Sequence, residues 1–170
     1  MAWTAPRTWT DGEFVTAAIM NPHIRDNQLA IAEHLIARTP SDVSRTSTTL
    51  ANDATLFTPS IPANEVWQFR FVLNFNTSTN DPKIAITFPS GDFSGMMTGV
   101  TVNWTLSGSG TTTITQIPDL NNIDPGYLCL ITGVFKNAAT PGAVTLQWAS
   151  GGGVAVILNA HSTLWGVKLA

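Results

Sequence analysis

The clearest pattern in the chain is a strict alternation over residues 65–76, EVWQFRFVLNFN. Large apolar residues occupy every second position from Trp67 to Phe75, and the positions between them include Gln68, Arg70 and Asn74. A period of two is typical of a β-strand with one buried face and one exposed face. The segment therefore predicts a strand whose aromatic face belongs to the protein core.

The same reasoning predicts further short strands along the second half of the chain. They lie in DPKIAITFPSG, GVTVNWTLSG, TTTITQIP, GYLCLITGVF, GAVTLQWAS, VAVILNA and STLWGVKLA. The sequences STND, GSG, NNIDPG, NAATPG and SGGG separate them and are typical of turns. About eight to ten short strands, with turns at intervals of about eight to twelve residues, are typical of a β-sandwich or jelly roll. Because no helical pattern lies between these strands, a parallel α/β fold is excluded.

A helical pattern is confined to the front of the chain, in TAAIMNPHIRDNQLAIAEHL (16–35). The hydroxyl of Thr16 is expected to cap a first turn through Ala17, Ala18, Ile19 and Met20. Asn21 is expected to cap a second helix, in which Pro22 takes the first helical position. The Thr39-Pro40 step is expected to end that helix.

The predicted second helix has a short apolar face. Ile24, Ile31 and Leu35 lie on one stripe, and the polar Gln28 falls within it. An isolated helix of this length is marginal in water, so its apolar face must be covered. Either the helix packs on its own domain, or it forms a bundle between chains, in which Gln28 sets register and oligomer number.

Charged side chains divide the sequence into two predicted parts. Residues 1–45 hold nine of the nineteen charges, and residues 46–170 hold the other ten. We expect residues 1–45 to form an arm and a helix for attachment and oligomerisation, and residues 46–170 to form the β-domain. The stretch ARTPSDVSRTST joins the two parts and is typical of a helix end followed by a linker.

The composition argues against several classes of partner. Charged residues make up 11% of the chain, against roughly 25% in typical soluble domains. The net charge of −3 and the lack of basic clusters argue against nucleic acid. No apolar run approaches the roughly 18 residues of a membrane span, and MAWTAPRTW lacks the features of a secretion signal. We therefore expect neither a nucleic-acid nor a membrane partner.

The sequence contains no motif for catalysis, a metal or a cofactor, so we expect no enzyme activity and no cofactor. The single cysteine, Cys129, lies in YLCLITGVF and is expected in the core. His23 and His34 would share a face of the predicted helix. A trimer would stack them into ion-binding rings; the alternative is that both are solvated. His161 lies in the turn LNAHST.

Two further patterns occur in phosphate-binding or catalytic sites, but in this sequence they indicate turns. GGGV (151–154) is predicted to be a hairpin loop, because no helix follows it to complete a phosphate site. The carboxylates of the β-domain lie mostly in contexts such as NDA, NDP and IDPG, where Asp bonds its own backbone. A glycosidase needs two carboxylates facing across a cleft, and no pattern favours such a pair.

The segment WTDGEFVTAAIMNPHIRDN (9–27) resembles the N-terminal segment of many small structural proteins of tailed bacteriophages. That pattern is roughly a Trp, an acidic-Gly step, V-T-A-A, then Asn, His and R-D-N. LQWAS (146–150) and STLWGVKLA (162–170) are looser points of resemblance to the β-domain that often follows this segment. Pro22 is a variation on the pattern. The matching positions are Trp9, Gly12-Glu13, Val15-Thr16-Ala17-Ala18, Asn21, His23 and Arg25-Asp26-Asn27.

The resemblance implies a virion protein, made in the host cytoplasm, of the minor tail, tail-fibre or head-decoration type. It also implies that the β-domain is trimeric and similar to the jelly rolls of spikes. Its partners would then be other copies of itself and other virion proteins. The resemblance supplies no catalytic residues.

Taken together, these observations predict a mainly β protein with an N-terminal arm, a short helix and a trimeric sandwich that projects outward. An alternative function is a receptor- or glycan-binding module for host adsorption, with Phe93 and Tyr127 as candidate exposed loop aromatics; the alternative for both residues is a place in the core. A polysaccharide-degrading enzyme is the alternative favoured least. The residues expected to attach or oligomerise the subunit are Trp3, Trp9, Phe14, Val15, Ile24, Gln28, Ile31 and Leu35. For Trp3 and Trp9 the alternative is packing on the chain's own β-domain.

Overall fold

The structure, a computed structural model, describes residues 8, 10–21, 24, 34–77, 81–98, 103–109, 114–116 and 127–169. These ranges contain one short helix, α1 (Ala17–Met20), and twelve strands. The strands are β1 (His34–Arg38), β2 (Val43–Arg45), β3 (Ala51–Phe57), β4 (Val66–Thr77), β5 (Pro82–Thr87), β6 (Asp92–Thr98), β7 (Asn103–Ser109), β8 (Ile114–Gln116), β9 (Tyr127–Lys136), β10 (Thr145–Ser150), β11 (Val156–Leu158) and β12 (Thr163–Lys168).

The strands form two antiparallel sheets. The larger sheet has the order β1-β12-β4-β9-β6-β7, and the short strand β11 pairs with β4 and with β2. The smaller sheet has the order β3-β10-β5-β8. Buried side chains from both sheets belong to one hydrophobic cluster, so the architecture is a β-sandwich, as the sequence predicts.

The longest strand, β4, confirms the predicted alternation. Phe69, Phe71, Leu73 and Phe75 are each at most 1% exposed, and the residues between them are half-buried or exposed. This strand pairs with β9 over ten consecutive residue pairs on one side, and with β12 and β11 on the other. It is therefore the centre of the larger sheet, and its aromatic face forms much of the core.

Aromatic side chains join the two sheets. Phe75 on β4 meets Trp148 on β10 edge-to-face, with ring centroids 5.6 Å apart. Phe88, which follows β5, packs against Phe135 on β9 at 5.3 Å. Such pairs add about 0.5–1.5 kcal/mol each beyond the area that they bury. The predicted core position of Cys129 is confirmed, since its side chain is fully buried.

The front of the chain differs from the predicted helix pair. The first turn is present as α1, but the side chain of Thr16 makes no capping hydrogen bond; instead its carbonyl accepts from the amides of Ile19 and Met20. Asn21 has helical dihedral angles and donates its amide to Ala17, so it is not the expected cap of a new helix.

The predicted helix does not extend to Thr39, because His34–Arg38 is strand β1. This strand pairs with β12, and a bulge between Leu35 and Ala37 shifts the register. The prediction that His23 and His34 share one face of a helix is therefore wrong for His34, which lies on a strand. In this strand the backbone amides and carbonyls pair with those of β12, whereas in the predicted helix they would have paired within the segment.

Strands β1 and β2 both precede residue 46, the predicted start of the β-domain. β1 pairs with β12, and β2 pairs with β11 over Val43–Arg45. The larger sheet therefore includes chain that lies on the N-terminal side of the predicted boundary. The amide of Thr39 also donates to the carbonyl of Ser162, and the amide of Ala160 donates to Asp42.

Three local features were not predicted correctly. Strands β3 and β6 lie in segments for which no strand was predicted. The segment 151–154 does not close a hairpin, because β10 belongs to the smaller sheet and β11 to the larger one. The hydroxyl of Ser150 stabilises this crossover by donating to the carbonyl of Val154 and accepting from the amide of Gly153.

Candidate functional site

The described residues contain no cluster of three or more His, Cys, Asp or Glu side chains that would hold a metal ion. Several carboxylates there are engaged in the fold. Asp42 caps the amide of Ala160, and Glu65 accepts from the indole of Trp67 and from Lys168. None of these contacts presents two carboxylates across a cleft, which is the arrangement that glycoside hydrolysis requires.

Among the described carboxylates, Asp53 is the most buried, and it belongs to a structural cluster. Its Oδ2 accepts from the indole Nε1 of Trp148 at 2.9 Å, and its Oδ1 accepts from the amides of Thr55 and Leu56 at 2.9 Å each. Burial alone would raise the pKa of Asp53, but these hydrogen bonds together hold it below its ordinary value of 3.8. The carboxylate is therefore fully occupied as an acceptor.

Arg45 completes this cluster from the other sheet. Its guanidinium lies 4.3 Å from the centre of the Trp148 ring and donates to the carbonyls of Ala51, Asn52 and Trp148. Burial lowers the pKa of Arg45, and the negative charge of Asp53 partly offsets that effect. The cluster ties β2 of the larger sheet to β3 and β10 of the smaller sheet, so its role is structural.

Cys129 is not a reactive thiol. Its side chain is fully buried on the inner face of β9, and burial raises the pKa of the thiol to about 12. The thiolate, which is the nucleophile and the metal ligand, is therefore scarce at neutral pH. His161 occupies an exposed turn with a φ of 70°, as expected of a turn residue.

Four of the residues predicted to mediate attachment or oligomerisation are described, and all are well exposed. Phe14 is 90% exposed, Val15 54%, Leu35 47% and Ile24 41%. Leu35 is on β1 rather than on a helix, and the bulge that shifts the register of that strand lies between Leu35 and Ala37. These side chains are open to a partner, and no described part of the chain covers them.

The other predicted site residues lie wholly or partly outside the described residues. They are Trp3, Trp9, His23, Gln28 and Ile31, together with the side chains of His34 and Tyr127. The backbone of Tyr127 opens β9 and pairs with Phe75. The predictions that rest on these side chains remain predictions.

Phe93 is not an exposed loop aromatic, and its prediction as a receptor contact is wrong. It lies on β6, is 2% exposed and belongs to the core cluster. The neighbouring inner positions are Gly95 and Gly133, which pair across β6 and β9. A Cβ built on Gly133 would lie 2.6 Å from the Phe93 ring, so the ring occupies the space that the two glycines leave.

An apolar patch covers the outer face of the larger sheet. We call it the outer patch and define it as Val72, Met96, Leu128, Leu130 and Val134. Leu128 is 56% exposed, Met96 45% and Val134 39%, and the other two side chains are half-buried. Exposed apolar side chains grouped on one sheet face make this face a candidate interaction site.

Strand register brings the outer patch together. Val72 on β4 lies directly opposite Leu130 on β9, and Met96 on β6 lies opposite Thr132, between Leu130 and Val134. The sequence signal for this patch is the run YLCLITGVF, which is apolar at consecutive positions. That run predicts a strand buried on both faces, whereas only the face with Cys129 and Ile131 is buried by the chain itself.

A second apolar feature is a pocket of about 320 Å³ at the β1 edge of the sandwich. Strands β1 and β12, the start of β4 and the segment after β3 enclose it. Ser60 lies at its exposed rim, and the hydroxyl of Thr58 is engaged by the amide of Val144. The lining is therefore mainly apolar. It consists of Leu35, Ile36, Thr58, Pro59, Ser60, Ile61, Trp67 and Gly166.

The walls of the pocket are fixed by contacts within the chain. The Trp67 ring stacks on Phe69 at 5.9 Å with planes 5° apart, and its indole N–H donates to Glu65 at 2.8 Å. Lys168 pairs with Glu65 at 2.6 Å. Asn137, which is buried, donates to the carbonyls of Ile61 and Pro62 and holds the segment after β3. No local sequence pattern indicates this pocket, because its lining comes from four separate segments of the chain.

Comparison with models of known protein families and with curated protein sequences found no match for this chain. The described part of the chain contains no helix with the length and apolar character needed to cross a membrane.

Proposed function

We propose that the protein is a structural component of a tailed-bacteriophage virion and that it assembles as a homotrimer. In this proposal the segment before β1 attaches the subunit to the particle, and the sandwich projects outward. The resemblance of residues 9–27 to the front segment of such proteins supports the attachment role. Phe14 and Val15 are exposed, so the segment is open to contacts with the particle or with a neighbouring subunit, whereas a segment that packs on its own domain would bury them.

The outer patch is the observation that carries the proposed oligomer. It places Leu128, Met96 and Val134 in the open on a rigid sheet face. The centres of homo-oligomer interfaces are apolar and depleted of charge. A subunit that covered this face with copies of itself would bury side chains worth roughly 1.5–3 kcal/mol each. A jelly-roll arrangement of the subunits, as in phage spikes, is part of the same proposal.

The alternative, a receptor- or glycan-binding module, has less support. Phe93, one of its two candidate contacts, is in the core. The described pocket is lined mainly by apolar side chains, whereas sugar recognition relies on polar groups that converge on hydroxyls. A polysaccharide-degrading enzyme would need two carboxylates that face each other across a cleft, and the carboxylate contacts described above include no such pair.

Light scattering on the purified chain tests the oligomer. We expect a mass three times that of the 18.2 kDa chain at micromolar concentration. Leu128→Asp should reduce this mass, because it places a charge in the middle of the interface. Val154→Asp is the matched control, since Val154 is 42% exposed in the loop after β10 and is not one of the outer-patch residues. A monomeric wild-type chain would contradict the proposal.

Particle incorporation tests the attachment role. A phage that lacks this protein is complemented with the full chain or with a variant that lacks residues 1–20. We expect only the full chain on purified particles, while the variant remains folded in the cell extract. Truncated protein on particles at normal copy number would show that the sandwich, and not the front segment, is the attached end.

A further inference from the structure

The chain carries both an open apolar pocket and an exposed aromatic side chain. The pocket at the β1 edge is open, and Phe14 is 90% exposed. Each feature by itself is unfavourable in water, because burial of a phenylalanine side chain is worth roughly 1.5–3 kcal/mol. Two complementary surfaces on one chain point to contact between copies of that chain.

Phe14 is held at the end of a turn. The amide of Glu13 donates to the carbonyl of Thr10 at 3.1 Å, and Gly12 between them has a φ of 77°, which glycine adopts without strain. Helix α1 begins three residues after Phe14. The side chain therefore extends from a short structured segment, next to Val15, which is itself 54% exposed.

The pocket has the size and chemistry for this side chain. A cavity of roughly 150 Å³ lined by apolar groups accepts benzene, so about 320 Å³ has room for a phenyl ring and part of Val15. Trp67 presents a ring wall whose position is fixed by Phe69 and Glu65. An aromatic ring that enters beside it gains an aromatic pair without having to order the wall first.

We propose that Phe14 of one subunit occupies the β1-edge pocket of a neighbouring subunit. The proposal rests on the homotrimer proposed above and names the contact that closes it. Each subunit gives one side chain and receives one; a twofold dimer would exchange them reciprocally, whereas in the proposed trimer each subunit gives to one neighbour and receives from the other, which is a head-to-tail contact. A head-to-tail contact closes into a ring when the rotation between subunits returns to the start, as in a trimer.

Disulfide trapping in the full chain tests this contact. The double variant Val15→Cys with Ser60→Cys keeps Phe14 and places one thiol beside it on the entering segment and one at the exposed rim of the pocket. The native Cys129 does not compete, because it is fully buried and its pKa is raised to about 12. After mild oxidation we expect covalent species of two and three chains on a denaturing gel, which reductant returns to single chains.

The control pairs Val15→Cys with Val154→Cys. Thr145, at one end of β10, pairs with Phe57, which lies beside the pocket. Val154 is 42% exposed and follows Ser150 at the opposite end of β10, so it is not at the pocket end of that strand. We expect no covalent oligomer from this pair. Equal cross-linking of both pairs would overturn the proposal, because it would show unspecific encounter.

Two other outcomes would also overturn it. A disulfide within single chains, detected as a monomer band without free thiols, would show that Phe14 fills the pocket of its own subunit. An absence of disulfide in a chain that light scattering still finds trimeric would show that the trimer forms without this contact. In that case the inference fails and the proposed function stands, whereas a monomeric wild-type chain defeats the proposed trimer.

Discussion

The substitution Asp53→Ala tests how the two sheets are held together. In the native chain the carboxylate accepts four hydrogen bonds: from the indole of Trp148, from the amides of Thr55 and Leu56, and from the hydroxyl of Thr55. The amides need this acceptor because β3 leaves register with β10 between Asn52 and Phe57. Alanine removes all four bonds and offers no replacement.

The cost follows from the donors that are left without a partner. The Trp148 and Leu56 donors are bonded in buried surroundings, and an unsatisfied buried donor costs about 1–3 kcal/mol. The two Thr55 groups are only partly buried, so water can replace the carboxylate there. We therefore expect the free energy of unfolding to fall by about 2–6 kcal/mol, a large share of the roughly 5–15 kcal/mol of a typical domain.

Urea unfolding followed by tryptophan fluorescence measures this loss. With a slope of about 2 kcal/mol per molar, the midpoint should move down by about 1–3 M. Asp92→Ala is the matched control, because Asp92 is exposed on β6 and should change stability by no more than about 0.5 kcal/mol. Asp53→Asn should fall between the two, since its carbonyl still accepts from the Thr55 and Leu56 amides. A loss below about 1 kcal/mol for Asp53→Ala would refute the reasoning.

Two further predictions concern the same core. Phe71→Ala should cost about 3–5 kcal/mol in urea unfolding, because Phe71 is fully buried, and Val72→Thr on the half-buried outer face should cost much less; equal losses would mean that both faces of β4 are buried. The pKa of Asp53 is lowered in the folded state, so its stabilisation is present above the unfolded pKa and is lost as pH falls through the folded pKa. Below about pH 4, the stability difference between the native chain and Asp53→Ala should therefore shrink, and a difference that stays constant down to pH 2 would contradict the assigned role of the carboxylate.

The sequence predicted the fold class because alternation is informative where a strand has one buried face. In β4 every second residue from Phe69 to Phe75 is buried, as the pattern requires. In β6 the inner positions are Phe93, Gly95 and Met97, and the glycine interrupts the apolar alternation that would have indicated a strand. The inner glycine is explained only by the Phe93 ring, which is a tertiary contact and therefore invisible to a local pattern.

The candidate sites were harder to predict, because a surface site depends on which side chains the rest of the chain leaves exposed. Leu128 and Val134 belong to a run that reads as buried on both faces, and their exposure follows from the absence of a described layer over the outer face. The segment HLIAR was predicted as helix because Leu35 continues the apolar stripe of Ile24 and Ile31. In the folded chain this segment pairs with β12 instead, so a tertiary contact overrides the local sequence pattern. Leu35 and Ile36 of the resulting strand line the pocket beside Trp67.

The position at which the attachment segment ends is decided by two truncations. A chain of residues 34–170 keeps β1 and β2, whereas a chain of residues 46–170, the predicted β-domain, loses both strands and Arg45. Arg45 donates to the carbonyls of Ala51, Trp148 and Asn52 at 2.7–2.8 Å, and hydrogen bonds to a charged group contribute about 1.5–3 kcal/mol each. The shorter chain also exposes the edges of β11 and β12.

We therefore expect residues 34–170 to unfold cooperatively on heating and residues 46–170 to aggregate or to melt at a much lower temperature. Circular dichroism on both chains, with the full chain as reference, is the measurement. Equal melting temperatures would show that β1 and β2 are accessory, and they would restore the predicted boundary at residue 46. If the longer chain alone is stable, the segment free to bind the particle or a neighbouring subunit ends before His34, and Leu35 acts as part of the receiving pocket instead.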